Sequence, residues 1–197
     1  MVAEVFEDRD HVAWHQGIKT YGFWCFKINN PSWLEKIKAL QHALAPQLMD
    51  DYMRFPHITV ATVGLMHREN GKLAKQQVSR LLEDTPKVVS LSWQEASSYK
   101  HVPIIRLKTN SLTLEEIRKR LHGITRGDDT SLYDPHITLG YYAFPVELSS
   151  VYKNLERELL ENSSEHFFNE LHFCTYETSS IKGSLKIRNT IKLVNIV

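Results

Sequence analysis

The sequence predicts an α+β fold in which one α/β unit is written twice. The expected architecture is bilobal, with two mainly antiparallel sheets around a central cleft, helices on the outside and a pseudo-two-fold axis between the lobes. Three observations carry this expectation. Strand-like and helix-like segments alternate along the 197 residues. Their order recurs after about 80 residues. One short stretch, Pro56-His57-Ile58-Thr59-Val60, returns as Pro135-His136-Ile137-Thr138-Leu139.

Residues 21–28, YGFWCFKI, read as the first strand. Asn30, Pro31 and Ser32 then supply an N-cap region with proline in the first turn. The helix they open carries Leu34, Ile37, Leu40, Leu44 and Leu48 on one stripe, and Pro46 ends or kinks it. A strand at 56–63, a helix at 72–84 and a strand at 87–94 follow. The series then starts again with a strand at 102–109, a helix at 112–122 stopped by Gly123 and a strand at 136–142. A helix at 147–161 presents Leu148, Val151, Tyr152, Leu155 and Leu159 on one face, a strand runs over 167–177, and a last strand at 185–194 closes the chain.

Individual residues recur too. At an offset of 80, Asn30, Leu34, Glu35, Ile37 and His42 meet Asn110, Leu114, Glu115, Ile117 and His122, while Lys38 meets Arg118. The proline-led motifs match at 79, and Leu81, Leu82 and Glu83 meet Leu159, Leu160 and Glu161 at 78. Two amphipathic helices match at several positions by chance, but nearly constant offsets in chain order point to an internal duplication. The expected organisation is one bilobal domain over 1–197: an N-terminal extension at 1–18, lobe one at about 19–99 and lobe two at about 100–197.

Composition narrows the function. Hydrophobic residues at 42% and charged residues at 24% describe an ordinary globular chain. Lys plus Arg number 24 against 23 Asp plus Glu, and the balance holds in each half, 11 against 11 in residues 1–98 and 13 against 12 in 99–197. Neither half is a basic arm, so duplex DNA and an anionic membrane are not the expected partners, and a nucleotide must be met by a local site. No apolar run is long enough to span a bilayer, and the acidic opening lacks a signal-peptide core. Cys25 and Cys174 lie in apolar runs and read as buried free thiols, which with the missing signal suggests a cytoplasmic protein, expected to be a monomer.

The repeated motif carries the chemistry. Alternation along a strand points His57 and Thr59 to one face and Ile58 and Val60 to the other, with the same division for His136 and Thr138 against Ile137 and Leu139. Continued parity puts the small residues Ala61 and Gly140 on the polar face, where they leave room for a ligand. A pseudo-two-fold axis between the strands then sets two imidazoles across one cleft. One neutral imidazole takes a proton from a hydroxyl or water while an opposing imidazolium protonates the leaving oxygen of a phosphodiester. Histidine suits both tasks because its ordinary pKa of about 6.5 populates both forms near neutrality. The threonine hydroxyls donate to the non-bridging phosphoryl oxygens.

Paired His-x-Thr-hydrophobic motifs about 80 residues apart in a bilobal α+β chain resemble the 2H phosphoesterase superfamily, which includes the 2′-5′ RNA ligase-like proteins and 2′,3′-cyclic nucleotide phosphodiesterases. The resemblance covers roughly residues 20–195. It implies that His57 and His136 are the acid/base pair, that Thr59 and Thr138 bind phosphate, and that neither metal nor cofactor takes part.

The expected activity is hydrolysis of a 2′,3′-cyclic phosphate or 2′-5′ phosphodiester in a nucleotide or short single-stranded RNA. The competing readings are a module that binds an RNA end or nucleotide without turnover, and a hydrolase of a cyclic signalling oligonucleotide. Weaker candidates for substrate contact are Tyr142, which continues the parity of the second motif, Tyr133 and Arg54, each three residues before a motif histidine, and Arg126 in the preceding loop. Lys186, Arg188, Thr190 and Lys192 share one face of the last strand and fit a solvated or edge-protecting role better than a phosphate-tracking stripe. His11 and His15 have helical i, i+4 spacing but no third ligand, so they do not read as a zinc site. No Gly-rich phosphate loop or serine nucleophile elbow is present.

Overall fold

The computed structural model describes Val2 and residues 12–109, 112–122, 133–159 and 165–195. After a short helix α1 (Val12–His15), the first half comprises β1 (Thr20–Lys27), α2 (Pro31–Leu44), β2 (His57–Leu65), α3 (Arg68–Glu83) and β3 (Val89–Tyr99). The second comprises β4 (Val102–Lys108), α4 (Thr113–His122), β5 (His136–Thr138), α5 (Leu148–Leu159), β6 (His166–Phe168), β7 (Glu170–Glu177) and β8 (Lys186–Lys192).

The α2 start follows the expected logic. The Asn30 side chain accepts the Trp33 N–H at 3.0 Å, and Pro31 occupies the first turn, where its missing N–H costs nothing. The helix gives way to a 3₁₀ turn at Ala45–Gln47, around Pro46.

The strands form one eight-stranded sheet in the order β6-β3-β4-β5-β2-β1-β7-β8, with antiparallel pairing throughout. This corrects the expectation of two sheets: the halves join edge to edge through β2 and β5. Their register pair is Ile58 with Ile137, residues that are each other's counterparts at the offset of 79. A residue paired with its own repeat equivalent is what a local two-fold axis normal to the sheet requires. The outer strands show an exchange. β3 ends the first half yet pairs with β4, and β7 of the second half pairs with β1.

Helices α2 to α5 pack on one face of this sheet. Ile37, Leu40 and Leu44, Ala74 and Leu81, Ile117 and Leu121, and Val151 and Leu155 join Trp24, Phe26, Ile58, Val60, Ile105 and Ile137 in one buried core. Two of its polar side chains bridge elements. Trp24 Nε1 donates to Gln77 Oε1 at 2.8 Å and Gln77 Nε2 to the Leu121 carbonyl at 3.0 Å, linking β1, α3 and α4. The opposite face is left for chemistry. On its first half a smaller cluster of Phe23, Cys25, Cys174 and Leu185, flanked by Tyr21, Phe55 and Tyr176, packs under the loop before β2. The two cysteines are free thiols whose sulfurs lie 3.5 Å apart.

Two departures from regular strands matter for the site. Cys25 pairs with Thr59 and Trp24 with Ala61, so Val60 is an extra residue and β2 bulges directly after its motif. Ala61 therefore enters the core with Ile58 and Val60 instead of widening the polar face. β5 ends at Thr138, which stops the expected alternation before Gly140 and Tyr142. A β-carbon at Gly140 would lie 3.1 Å from Leu48 Cδ1, so the space beside that glycine is taken by the half-buried Leu48, which packs against the core.

Candidate active site

Antiparallel pairing about Ile58 and Ile137 sets His57 opposite Thr138 and Thr59 opposite His136. All four side chains leave the face that the two isoleucines do not use. Directly opposed residues are roughly 5 Å apart at Cβ and diagonal ones roughly 7–8 Å, so the two histidines bracket a space of phosphoryl size with one threonine beside each. The next strands supply a second rank: Lys27 pairs with His57 and Cys25 with Thr59 on one side, Arg106 with His136 and Ile104 with Thr138 on the other.

Both imidazoles are held alike. His57 Nδ1 lies 2.9 Å from the Phe55 carbonyl and His136 Nδ1 lies 2.7 Å from the Asp134 carbonyl, each acceptor two residues upstream. A carbonyl only accepts, so Nδ1 carries the proton in both rings, and each Nε2 is the atom left for proton transfer.

Their surroundings differ. His57 is buried between Phe23, with ring centroids 5.5 Å apart, and Phe55, at 6.0 Å. Burial pushes its pKa down to about 4, helped by the charges of Arg54 and His136 and opposed by the bond to the Phe55 carbonyl. His57 is therefore neutral at physiological pH. His136 is half-buried and meets the edge of Tyr99 at 5.0 Å. Tyr99 donates its hydroxyl to Asp134 Oδ2 at 2.9 Å, Arg106 reaches the same oxygen at 2.9 Å, and Arg106 also pairs with Glu95 at 2.8 Å. Tyr99, Arg106, Asp134 and Glu95 are not among the sequence candidates. Arg106 is findable, because the offset of 79 aligns it with Lys27.

The weaker candidates fare unequally. Tyr142 is a correction: it is fully buried, its hydroxyl lies 2.8 Å from Ser98 Oγ, and it cannot stack a base in the cleft. Tyr133 is likewise structural. Its hydroxyl donates to the Thr59 carbonyl at 2.8 Å, and its ring lies 3.6 Å from the Arg118 guanidinium, which in turn donates to the Val60 carbonyl. Tyr133 and Arg118, from the second half, thus clamp the bulge of the first. Arg54 does reach the site, close enough for its charge to act on His57. Arg126 lies outside the described residues, as does His11.

The last strand departs from its expected single face. Phe173 pairs with Asn189 and Cys174 with Ile187, so a bulge at Arg188 breaks the alternation. Lys186 pairs with Glu177 at 2.9 Å, Arg188 Nε donates to Thr175 Oγ1 at 2.9 Å, and Thr190 meets His172 Nδ1 at 2.9 Å. These partners fit the edge-protecting role.

Among the described residues no cluster of three or more His, Cys, Asp or Glu has metal-site geometry, and no helix is long and apolar enough to cross a membrane.

Comparison with solved structures places this arrangement among known folds. E. coli LigT complexed with 3′-AMP superposes with a TM-score of 0.59 at 13% identity, covering 89% of this chain and 98% of LigT. TT0787 of Thermus thermophilus gives 0.61 at 11% identity, with 88% and 97% covered, and the MHV ns2 PDE domain gives 0.53 at 13% identity, with 80% and 99% covered. At such identities the likeness is one of fold. A comparison with curated protein sequences finds no match. The family model described as the 2′-5′ RNA ligase superfamily matches residues 29–179, a span that holds both His-x-Thr motifs, and this chain therefore belongs to that superfamily, the 2H phosphoesterases.

Proposed function

We propose that the protein is a phosphodiesterase that opens a 2′,3′-cyclic phosphate or cleaves a 2′-5′ phosphodiester in a nucleotide or short RNA, with His57 as general base and His136 as general acid. Superfamily membership and the likeness to the ns2 PDE domain support phosphodiesterase-type activity in general, and the LigT complexes with 3′-AMP and ATP support a nucleotide ligand. The observation that carries the reading is the pair of imidazoles with equivalent Nδ1 anchors and opposite surroundings.

His57, neutral at pH 7, takes through Nε2 the proton of the attacking water or vicinal ribose hydroxyl. The nucleophile's oxygen bonds to phosphorus as the bond to the leaving oxygen breaks, and His136 Nε2–H protonates that oxygen. Thr59 and Thr138 donate to the non-bridging oxygens, where charge accumulates. Proton exchange with water then restores both rings, so no proton is lost or gained in the cycle.

The test is a panel of 2′,3′-cyclic mononucleotides, 2′-5′ and 3′-5′ dinucleotides and cyclic oligonucleotides, incubated with the protein in excess EDTA. Turnover of a 2′,3′-cyclic or 2′-5′ member is expected. Selective loss of a cyclic oligonucleotide would reassign the substrate, binding without turnover of any member would make the protein a binder, and turnover that chelation abolishes and zinc or manganese restores would end the acid/base account.

A further inference from the structure

The loop that leads into β2 carries a cation that pairs with no carboxylate among the described residues. Arg54 lies three residues before His57, with its guanidinium 4.2 Å from the centre of the Tyr176 ring. Its charge acts on Tyr52, Tyr176 and His57, and the Tyr52 and Tyr141 rings meet edge to face at 5.9 Å. Arg54 Nε is buried without a hydrogen-bond partner. None of the ion pairs among the described residues involves Arg54.

A partly buried guanidinium surrounded by aromatic rings keeps only part of the stabilisation that water gave it. A cation–π contact gives part of it back but leaves the buried Nε–H without an acceptor. An anion with planar or tetrahedral oxygens completes such a site, because Arg presents a fork of donors.

The scissile phosphoryl group already has its donors in Thr59, Thr138 and the two imidazoles. Arg54 stands beyond this set, at the His57 and Thr138 end of the cleft, where Tyr141 follows Thr138 by three residues. The opposite end, past Thr59 and His136, carries Asp134, Glu95 and Arg106 tied into one network. The position equivalent to Arg54 in the second half is Tyr133, which is committed to the Thr59 carbonyl and to Arg118. Among the described residues the cleft is therefore directional, with a cation outside any ion pair at one end and a neutralised network at the other.

We propose that Arg54, framed by Tyr52, Tyr141 and Tyr176, is a subsite for a second phosphate of the substrate, one ribose removed from the phosphate held between the motifs. This rests on the phosphodiesterase reading for the first phosphate and deepens it: the preferred substrate is a nucleotide or oligonucleotide end bearing an additional phosphate, bound in one orientation.

The test measures binding and needs no turnover. Calorimetry of the full chain with adenosine 3′-monophosphate and adenosine 3′,5′-bisphosphate should show the bisphosphate binding about ten-fold or more tighter, as one added charge-assisted pair would give, and the preference should shrink with added salt. Arg54→Met should cost the bisphosphate about ten-fold more than the monophosphate, and Arg54→Lys should keep part of the preference. Equal affinities in the parent would overturn the proposal. So would equal losses for both ligands in Arg54→Met or Arg54→Lys, which would assign Arg54 to the scissile phosphate. If turnover of the substrate panel is seen without a bisphosphate preference, the subsite falls and the phosphodiesterase reading stands. If the preference and its loss in Arg54→Met are seen with a panel that is never turned over, the subsite stands and the catalytic reading falls.

Discussion

The same five-residue pattern builds two different sites. Around His57 the neighbours are the rings of Phe23 and Phe55; around His136 they are Tyr99 and an ionic network of Asp134, Arg106 and Glu95. What the two halves share is backbone: a carbonyl two residues upstream fixes each Nδ1–H. What they do not share is dielectric. The residue at the position of that carbonyl is Phe55 in one motif and Asp134 in the other, and this one difference brings an apolar wall to one imidazole and a carboxylate with its partners to the other. Duplication supplies two identical groups, and unequal solvation gives them unequal surroundings, the difference on which the proposed base and acid roles rest.

Removing either imidazole should break the comparison most severely. His57→Ala and His136→Ala are each expected to lower single-turnover rate by about 10²–10⁴-fold, with the double variant losing far less than the product of the two. Thr59→Ala and Thr138→Ala, measured in the same assay, should each lose closer to about ten-fold, the worth of one hydrogen bond to a charged oxygen. If the histidine variants bind and turn over like the parent, the two motifs are not the reacting pair.

Eroding the apolar wall should make the halves more alike. A base works only when unprotonated, so the rate falls as pH drops through the His57 pKa, and the acid limb of the parent lies near pH 4. Phe55→Ala keeps the backbone carbonyl but admits water, and should move that limb upward, toward the ordinary histidine value of about 6.5. The measurement is kcat/KM between pH 3.5 and 8. A limb that stays put would show that solvation by Phe55 does not set the difference.

A smaller effect is expected on the other side. Asp134→Asn retains the carbonyl that anchors His136 but removes the charge shared by Tyr99 and Arg106, so Asp134 acts through the ring's surroundings as a positioning residue. Its loss should lower kcat by about three- to ten-fold while leaving the acid limb of the profile in place, in line with the modest worth of partly exposed ion pairs. A change in KM alone would assign Asp134 to binding instead.

Much of this site is legible before any coordinates. Offsets near 80 expose the duplication, and strand alternation puts His57, Thr59, His136 and Thr138 on one face, because both signals are local and periodic. The misreadings share a cause as well. Ala61, Gly140 and Tyr142 reach the polar face only if the alternation extends past Thr59 and Thr138, whereas β2 bulges at Val60 and β5 stops at Thr138. A bulge is fixed by what clamps it, here Arg118 and Tyr133 from the other half, and such a contact leaves no periodic trace. The single continuous sheet is illegible for the same reason, since which edge a strand joins is a long-range decision. Asp134, in the loop before β5, and Tyr99, at the end of β3, have no repeat partner of like chemistry.

The exchange of β3 and β7 bears on how the chain reaches this state. Neither half holds all the strands of its own side of the sheet: β1 and β2 wait for β7, and β4 and β5 wait for β3. Phe23 pairs with Cys174 across most of the length of the chain, so sheet closure carries a large loop entropy before it is rewarded. The duplicated units are therefore not independent modules. Although the sequence reads as two copies, each copy's side of the sheet is completed by a strand from the other, and the cleft lies between halves that have traded a strand.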